Sequence, residues 1–128
     1  MNVIITFEVP IRIESEANQR VHWSKRWRRF RDQRIILRNG WNRATNHAGK
    51  LNASSYVVTL TRIGHKLLDD DNLAGGLKGV QDEIAKILGI DDGDARIKWV
   101  RKQRKGTEYS CVVKIEARTE LSDEAVPF

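Results

Sequence analysis

The spacing of apolar residues changes its period along the chain, and each change predicts an element. Val3, Ile5, Phe7 and Val9 alternate with Ile4, Thr6 and Glu8, which predicts a strand that ends at Pro10. A short extended piece, Ile11 to Glu14, follows. From about Arg20 to Thr45 the period becomes helical, with Trp23, Trp27, Phe30, Leu37 and Trp41 on one stripe. Arg34 falls within that stripe, which favours burial against an acidic partner. Gly40 weakens the helix and predicts an end or a bend there. The stretch from Asn46 to Asn52 reads as a loop, and Ser55 to Ile63 as a β-branched strand.

A second helix is predicted to start at Asp71 or Asn72, either of which can cap it, and to stop at Gly89 after Leu88. Leu73, Leu77, Val80, Ile84, Ile87 and Leu88 share one side of it. Asp71, Gly75, Lys78 and Asp82 line the other. Two further strands, Ala95 to Arg104 and Glu108 to Arg118, are joined at Lys105-Gly106-Thr107 and read as a hairpin. In the last strand Tyr109, Cys111, Val113, Ile115 and Ala117 share a core-facing side. This order predicts an α+β domain over residues 1–118: a small mixed sheet, two main helices and a C-terminal β-hairpin. Residues 119–128 read as a short, loose, acidic tail.

Composition narrows the class. A chain of 128 residues holds one compact domain. Its 23 Lys and Arg outnumber 17 Asp and Glu, a net charge of +6 that favours a polyanionic partner. The one cysteine, Cys111, excludes an internal disulfide and reads as a buried small apolar residue. No apolar stretch reaches membrane-spanning length and no signal peptide is evident, so a cytoplasmic protein is expected. His22, His47 and His65 show no zinc spacing.

The basic residues are not spread evenly. Lys25, Arg26, Arg28, Arg29, Arg31, Arg34, Arg38 and Arg43 crowd the first helix, where Asp32 is the only acid. Arg96, Lys98, Lys102 and Arg104 share one face of a strand by period-two counting. Arginine suits phosphate because its planar fork binds two oxygens. Both runs are candidate DNA contacts; a solvated charged surface is the simpler alternative.

The acidic residues concentrate at the two ends of the second helix, as Asp69-Asp70-Asp71-Asn72 before it and Asp91-Asp92-Gly93-Asp94 after it. Carboxylates so close repel one another unless a cation sits among them, and hard cations such as Mg²⁺ prefer oxygen ligands. A helix of this length spans roughly 25 Å. The two clusters can therefore share one metal only if the chain folds back after Gly89, or if a second subunit supplies one of them. Gly75 and Gly76 cost helix stability. They suit a place where a backbone or a phosphate comes close. Taken singly, each of these features is also ordinary capping, pairing or turn chemistry.

Taken together, Asp69-Asp70-Asp71-Asn72-Leu73, then Lys78, Asp82 and Gly89-Ile90-Asp91-Asp92, resemble the signature of the RusA family of Holliday junction resolvases. The likeness is strongest over residues 69–100, and the order of elements agrees over most of the chain. A Gly-Gly-containing insertion sets Lys78 one helical turn further from the box than in the shorter form of the motif. The resemblance implies an endodeoxyribonuclease that acts as a homodimer on branched, four-way DNA. The metal would be Mg²⁺, with Mn²⁺ able to substitute. It implies Asp69, Asp71 and Asp92 as metal ligands, with Asp70, Asp91 and Asp94 as alternatives, and Lys78 as the catalytic cation. It also suggests a phage or prophage setting. The competing expectation is a non-catalytic basic nucleic-acid-binding module.

Overall fold

Strand-forming and helix-forming segments assemble into two layers in a computed structural model, which describes residues 2–14, 23–46, 51 and 53–118. The predicted helix start at Arg20 to His22, most of the predicted loop after Asn46, the acidic tail and the side chains of Trp23 and Arg26 lie outside the described residues. The elements are β1 (Asn2–Val9), α1 (Trp23–Thr45), β2 (Ser55–Gly64), α2 (Asp70–Leu88), β3 (Ile97–Lys105) and β4 (Ser110–Arg118). They form an α+β fold, a four-stranded mixed sheet in the order β1-β4-β2-β3 with two helices.

The core is built from one face of each element. Tyr56, Val58 and Leu60 of β2, and Cys111, Val113, Ile115 and Ala117 of β4, meet Leu73, Leu77, Val80, Ile84 and Leu88 of α2. Leu37 and Trp41 of α1 complete that layer. Burial holds the Cys111 thiol up at about 12, far from a reactive thiolate.

The C-terminal hairpin does not form. β3 pairs in parallel with β2, and β4 lies antiparallel to both β1 and β2. The chain therefore leaves β3, passes over the end of β2, where Gly106 N donates to Gly64 O (2.9 Å), and enters the sheet on the far side. Two strand spacings are about 10 Å, which four extended residues can cover, so a turn short enough for a hairpin also suffices to step across one strand. Partner choice follows burial. β4 has an alternating fully buried face and takes the centre, while β3, with five cations in nine residues, takes an edge.

α1 runs through Gly40 without ending there. A methyl group on Gly40 would lie 2.7 Å from Val9 Cγ1 and 2.9 Å from Phe7 Cδ2, so this glycine lets the helix settle onto β1. The predicted aromatic stripe holds only in part. Leu37 and Trp41 are buried and Phe30 is half-buried, but Trp27 is 52% exposed, with the Arg31 guanidinium over its ring. Among the described residues of α1 the buried line is Gln33, Leu37, Gly40 and Trp41.

The two glycines of α2 separate in function. A methyl on Gly76 would meet the Glu14 carbonyl oxygen at 2.6 Å and Ile13 Cγ2 at 2.9 Å, whereas one on Gly75 would meet nothing within 4 Å. The backbone that approaches Gly76 is thus the extended piece after β1. Gly75→Ala is expected to stabilise the fold by up to about 1 kcal/mol through helix propensity. Gly76→Ala should destabilise it by about 1–3 kcal/mol through overpacking. Urea unfolding of the two variants, compared side by side, would show equal responses if this distinction were mistaken.

Candidate functional site

Helix α2 begins one to two residues earlier than its sequence suggests. Asp69, not Asp71 or Asn72, is the cap: its Oδ1 accepts from Asn72 N (2.9 Å) and its Oδ2 from Asn72 Nδ2 (3.0 Å). In a run of three aspartates each could serve. Using the first sets Asp70 and Asp71 in the opening turn, where carboxylates favour the helix dipole. Both are exposed, and neither makes a hydrogen bond or ion pair among the described residues.

At its other end α2 stops at Gly89, whose φ of 76° is the left-handed conformation that glycine adopts freely. Ile90 N donates to Ala85 O (3.0 Å), which reverses the chain. Asp91 Oδ2 accepts from Gly93 N (3.2 Å), Asp94 Oδ1 accepts from Arg96 N (2.9 Å), and Trp99 Nε1 donates to the Asp92 carbonyl (2.9 Å). These bonds fold residues 90–94 back along the helix. Asp92 consequently reaches a residue 14 positions earlier: Lys78 Nζ donates to Asp92 Oδ2 at 2.9 Å, and to Asp82 Oδ1 at 3.3 Å. The lysine ammonium and then Asp82 hold the Asp92 carboxyl below the usual carboxylate range. Lys78 is raised in turn by Asp92 first and Asp82 second. Arg96 holds Asp94 down at about 2.

Of the carboxylates implied by the resemblance, Asp92 therefore meets Lys78 and Asp82, while Asp69 and Asp71 stay at the start of α2. Asp71 and Lys78 are about 10 Å apart along the axis at the helical rise per residue. Among the described residues, no group of three or more His, Cys, Asp and Glu side chains is placed to hold a metal. The donor types still suit a hard cation, since Mg²⁺ takes one or two carboxylates and completes its shell with water and phosphate. The placement favours Asp82 with Asp92 over a triad of Asp69, Asp71 and Asp92 within one chain. Asp82 was visible in the sequence as a member of the charged stripe, but nothing local linked it to Asp92.

The basic residues divide into free and committed groups. Lys25 and Arg28 are exposed on α1, and Arg31, also exposed, pairs with Asp32 (3.6 Å) and lies over Trp27. Arg29 lies 4.0 Å from Glu14. Arg38 donates through Nε (3.0 Å) and Nη2 (2.6 Å) to Glu83, whose side chain is only 7% exposed. That pair clamps α1 to α2. Arg96 grips Asp94 through Nε (3.0 Å) and Nη2 (2.8 Å). Lys98, Lys102 and Arg104 are exposed. Their β3 neighbours Trp99, Arg101 and Gln103 point the other way and bond Asp92, Gln81 and Leu68 on the α2 side. The two basic runs thus lie on opposite sides of the sheet.

Between α1, α2 and the returning segment lies a cleft of about 380 Å³. Lys78, Asp82, Asp91 and Asp92 open into it, facing Phe30 and Arg34 of α1. Arg34 is half-buried, as its place in the stripe suggested, but it has no hydrogen bond or ion pair among the described residues. No described helix is long and apolar enough to cross a membrane. Compared with known proteins, the chain matches no family model and no curated protein.

Proposed function

We propose that this chain is a magnesium-dependent endonuclease of RusA type, cytoplasmic and homodimeric, which cuts branched DNA at four-way junctions. The observation that carries the reading is the return of residues 90–94 along α2. It sets Asp92 against Lys78 and Asp82 in a cleft whose other wall is the arginine-rich helix α1. Carboxylates and an ammonium beside a basic surface suit phosphodiester hydrolysis, because the scissile phosphate is anionic and needs both charge balance and an organised attacking water. A bound Mg²⁺ would supply Lewis-acid polarisation of the phosphoryl oxygen. The chain's own part is clear in outline. Of the three carboxylates that line the cleft, Asp82 and Asp92 stand against Lys78. Lys78 balances charge on the phosphate, and Lys25, Arg28 and Arg31 draw the polyanion towards them.

The second reading is a non-catalytic nucleic-acid-binding module. It is favoured by the Lys78 ammonium, which already pairs with Asp82 and Asp92, and by the distance to Asp69 and Asp71. One assay separates the two. A synthetic four-way junction incubated with Mg²⁺ should be nicked in paired strands near the crossover. EDTA should stop the cutting, and linear duplex of the same sequence should resist it. Binding should weaken with salt with a slope of roughly 0.9 per neutralised phosphate. Salt-sensitive binding with no cutting under any divalent cation would leave the binding module standing and remove the nuclease.

A further inference from the structure

Charge in the cleft between α1 and α2 is unevenly satisfied. Lys78 engages both Asp82 and Asp92, and the Asp91 carboxylate is turned to the backbone of Gly93. Two cations that line the same cleft, Arg34 and Lys86, have no side-chain hydrogen bond or ion pair among the described residues. On the same helix Arg38 is bound to Glu83 and Arg31 lies over Trp27, while Lys25, Arg28 and Arg43 are exposed to water. Arg34 differs in being half-buried with no acceptor among the described residues. A half-buried guanidinium has lost part of its water, and such a group ordinarily gains an acceptor in exchange. Lys86 sits in the last turn of α2 and also complements the carbonyl end of the helix. No comparable structural role accounts for Arg34.

Position adds to charge. Lys86 follows Asp82 by one helical turn, about 6 Å along the axis. Arg34 lines the same cleft from α1, and so does Gly79, where a methyl would already lie 3.4 Å from Phe30 Cδ1. An anion held between Arg34 and Lys86 would thus stand beside the Asp82–Lys78–Asp92 group. The planar fork of Arg34 fixes the direction of two oxygens, while the ammonium of Lys86 contributes charge without direction.

We propose that Arg34 and Lys86 grip one phosphodiester of the bound DNA in this cleft, with Arg34 as a positioning residue that aims it at Asp82 and Asp92. The inference rests on the reading in which DNA is the partner, and goes beyond it by naming the residues that seat the phosphate. The test uses the full chain and a fluorescent four-way junction, titrated in EDTA over a range of salt, with single-turnover cleavage in Mg²⁺ as a second readout. Arg34→Gln and Lys86→Gln should each reduce the slope of log affinity against log salt, and the double variant should reduce it by about 0.9, the value for one neutralised phosphate. Because the Arg34 side chain has no partner within the described fold, Arg34→Gln should melt like the wild type. Lys86→Gln should lose no more than the small stabilisation that a cation in the last helical turn contributes. Arg34→Lys should keep the slope but cut about tenfold more slowly at saturating enzyme, since an ammonium lacks the fork. Unchanged slopes in both Gln variants would overturn the proposal, as would wild-type cutting by Arg34→Lys. A wild-type protein that binds but does not cut would remove only the nuclease reading, leaving the slopes to decide the grip. One that shows no salt-dependent binding would remove both.

Discussion

Asp92→Asn is expected to lower magnesium-dependent cleavage of a four-way junction by about two orders of magnitude or more, while junction binding stays the same or tightens. The substitution is isosteric and leaves the loop in place. The bonds that fold residues 90–94 back, among them Trp99 to the Asp92 carbonyl and Ile90 to the Ala85 carbonyl, do not use the Asp92 side chain, so asparagine retains them. Only the charge is lost. Lys78 then keeps Asp82 alone, and one source of repulsion towards phosphate disappears. Single-turnover cleavage and a gel-shift titration on the same preparation measure the two halves of the expectation. Wild-type cutting by this variant would remove Asp92 from the reaction. The parallel variant Asp71→Asn is informative because the exposed Asp71 side chain makes no hydrogen bond or ion pair among the described residues. An equal loss would place Asp71 in the same working centre despite its distance along α2, and no loss would leave Asp82 with Asp92.

The largest effect on stability should come from Arg62→Ala, a loss of about 3–5 kcal/mol. Arg62 is 4% exposed on the core side of β2. Its Nε donates to Ile13 O at 2.8 Å and its Nη1 to Lys66 O at 2.7 Å, which ties the piece after β1 and the bend after β2 to one side chain. Burial pulls its pKa below the usual value, and the nearby Tyr109 and Glu14 pull the other way. Truncation would leave two carbonyls without their donor and a void where the stem lay. For a domain of this size the midpoint of thermal unfolding should fall by roughly 10–15 °C. Arg62→Lys should recover only part of this, because one ammonium cannot span both carbonyls in the same geometry. A melting curve within a degree or two of wild type would show that these bonds contribute little.

Periodic features were legible in the sequence, and pairings between distant segments were not. The amphipathic face of α2, the glycine that ends it and the buried face of β4 all follow from local repeat, because each depends only on spacing within one element. The supposed hairpin failed for the opposite reason. Lys105-Gly106-Thr107 specifies a tight turn, but which strand then lies alongside β4 is decided by burial across the whole sheet. Trp27 fits the spacing of the apolar stripe, yet among the described side chains of α1 the buried ones lie from Gln33 onwards. The cap at Asp69 was hidden within a run of equivalent aspartates. Arg62 could have been flagged, since period-two counting sets it on the same side as Tyr56, Val58 and Leu60, and a cation on a core face needs acceptors. Two long-range pairs, Arg38 with Glu83 and Lys78 with Asp92, left no local trace. The sequence raised the possibility that the chain folds back after Gly89. It could not say that the fold-back would bring Asp92 to the middle of the helix rather than to its start.

The order β1-β4-β2-β3 also bears on how the domain comes into being. The strand that joins β1 to β2 is the last of the described strands to leave the ribosome, so the nascent chain carries two sheet fragments that cannot meet until residues 110–118 emerge. Most contacts made by β4 span large separations in sequence, a topology associated with slow folding. Until it arrives, the inward faces of β1 and β2 remain open to other chains.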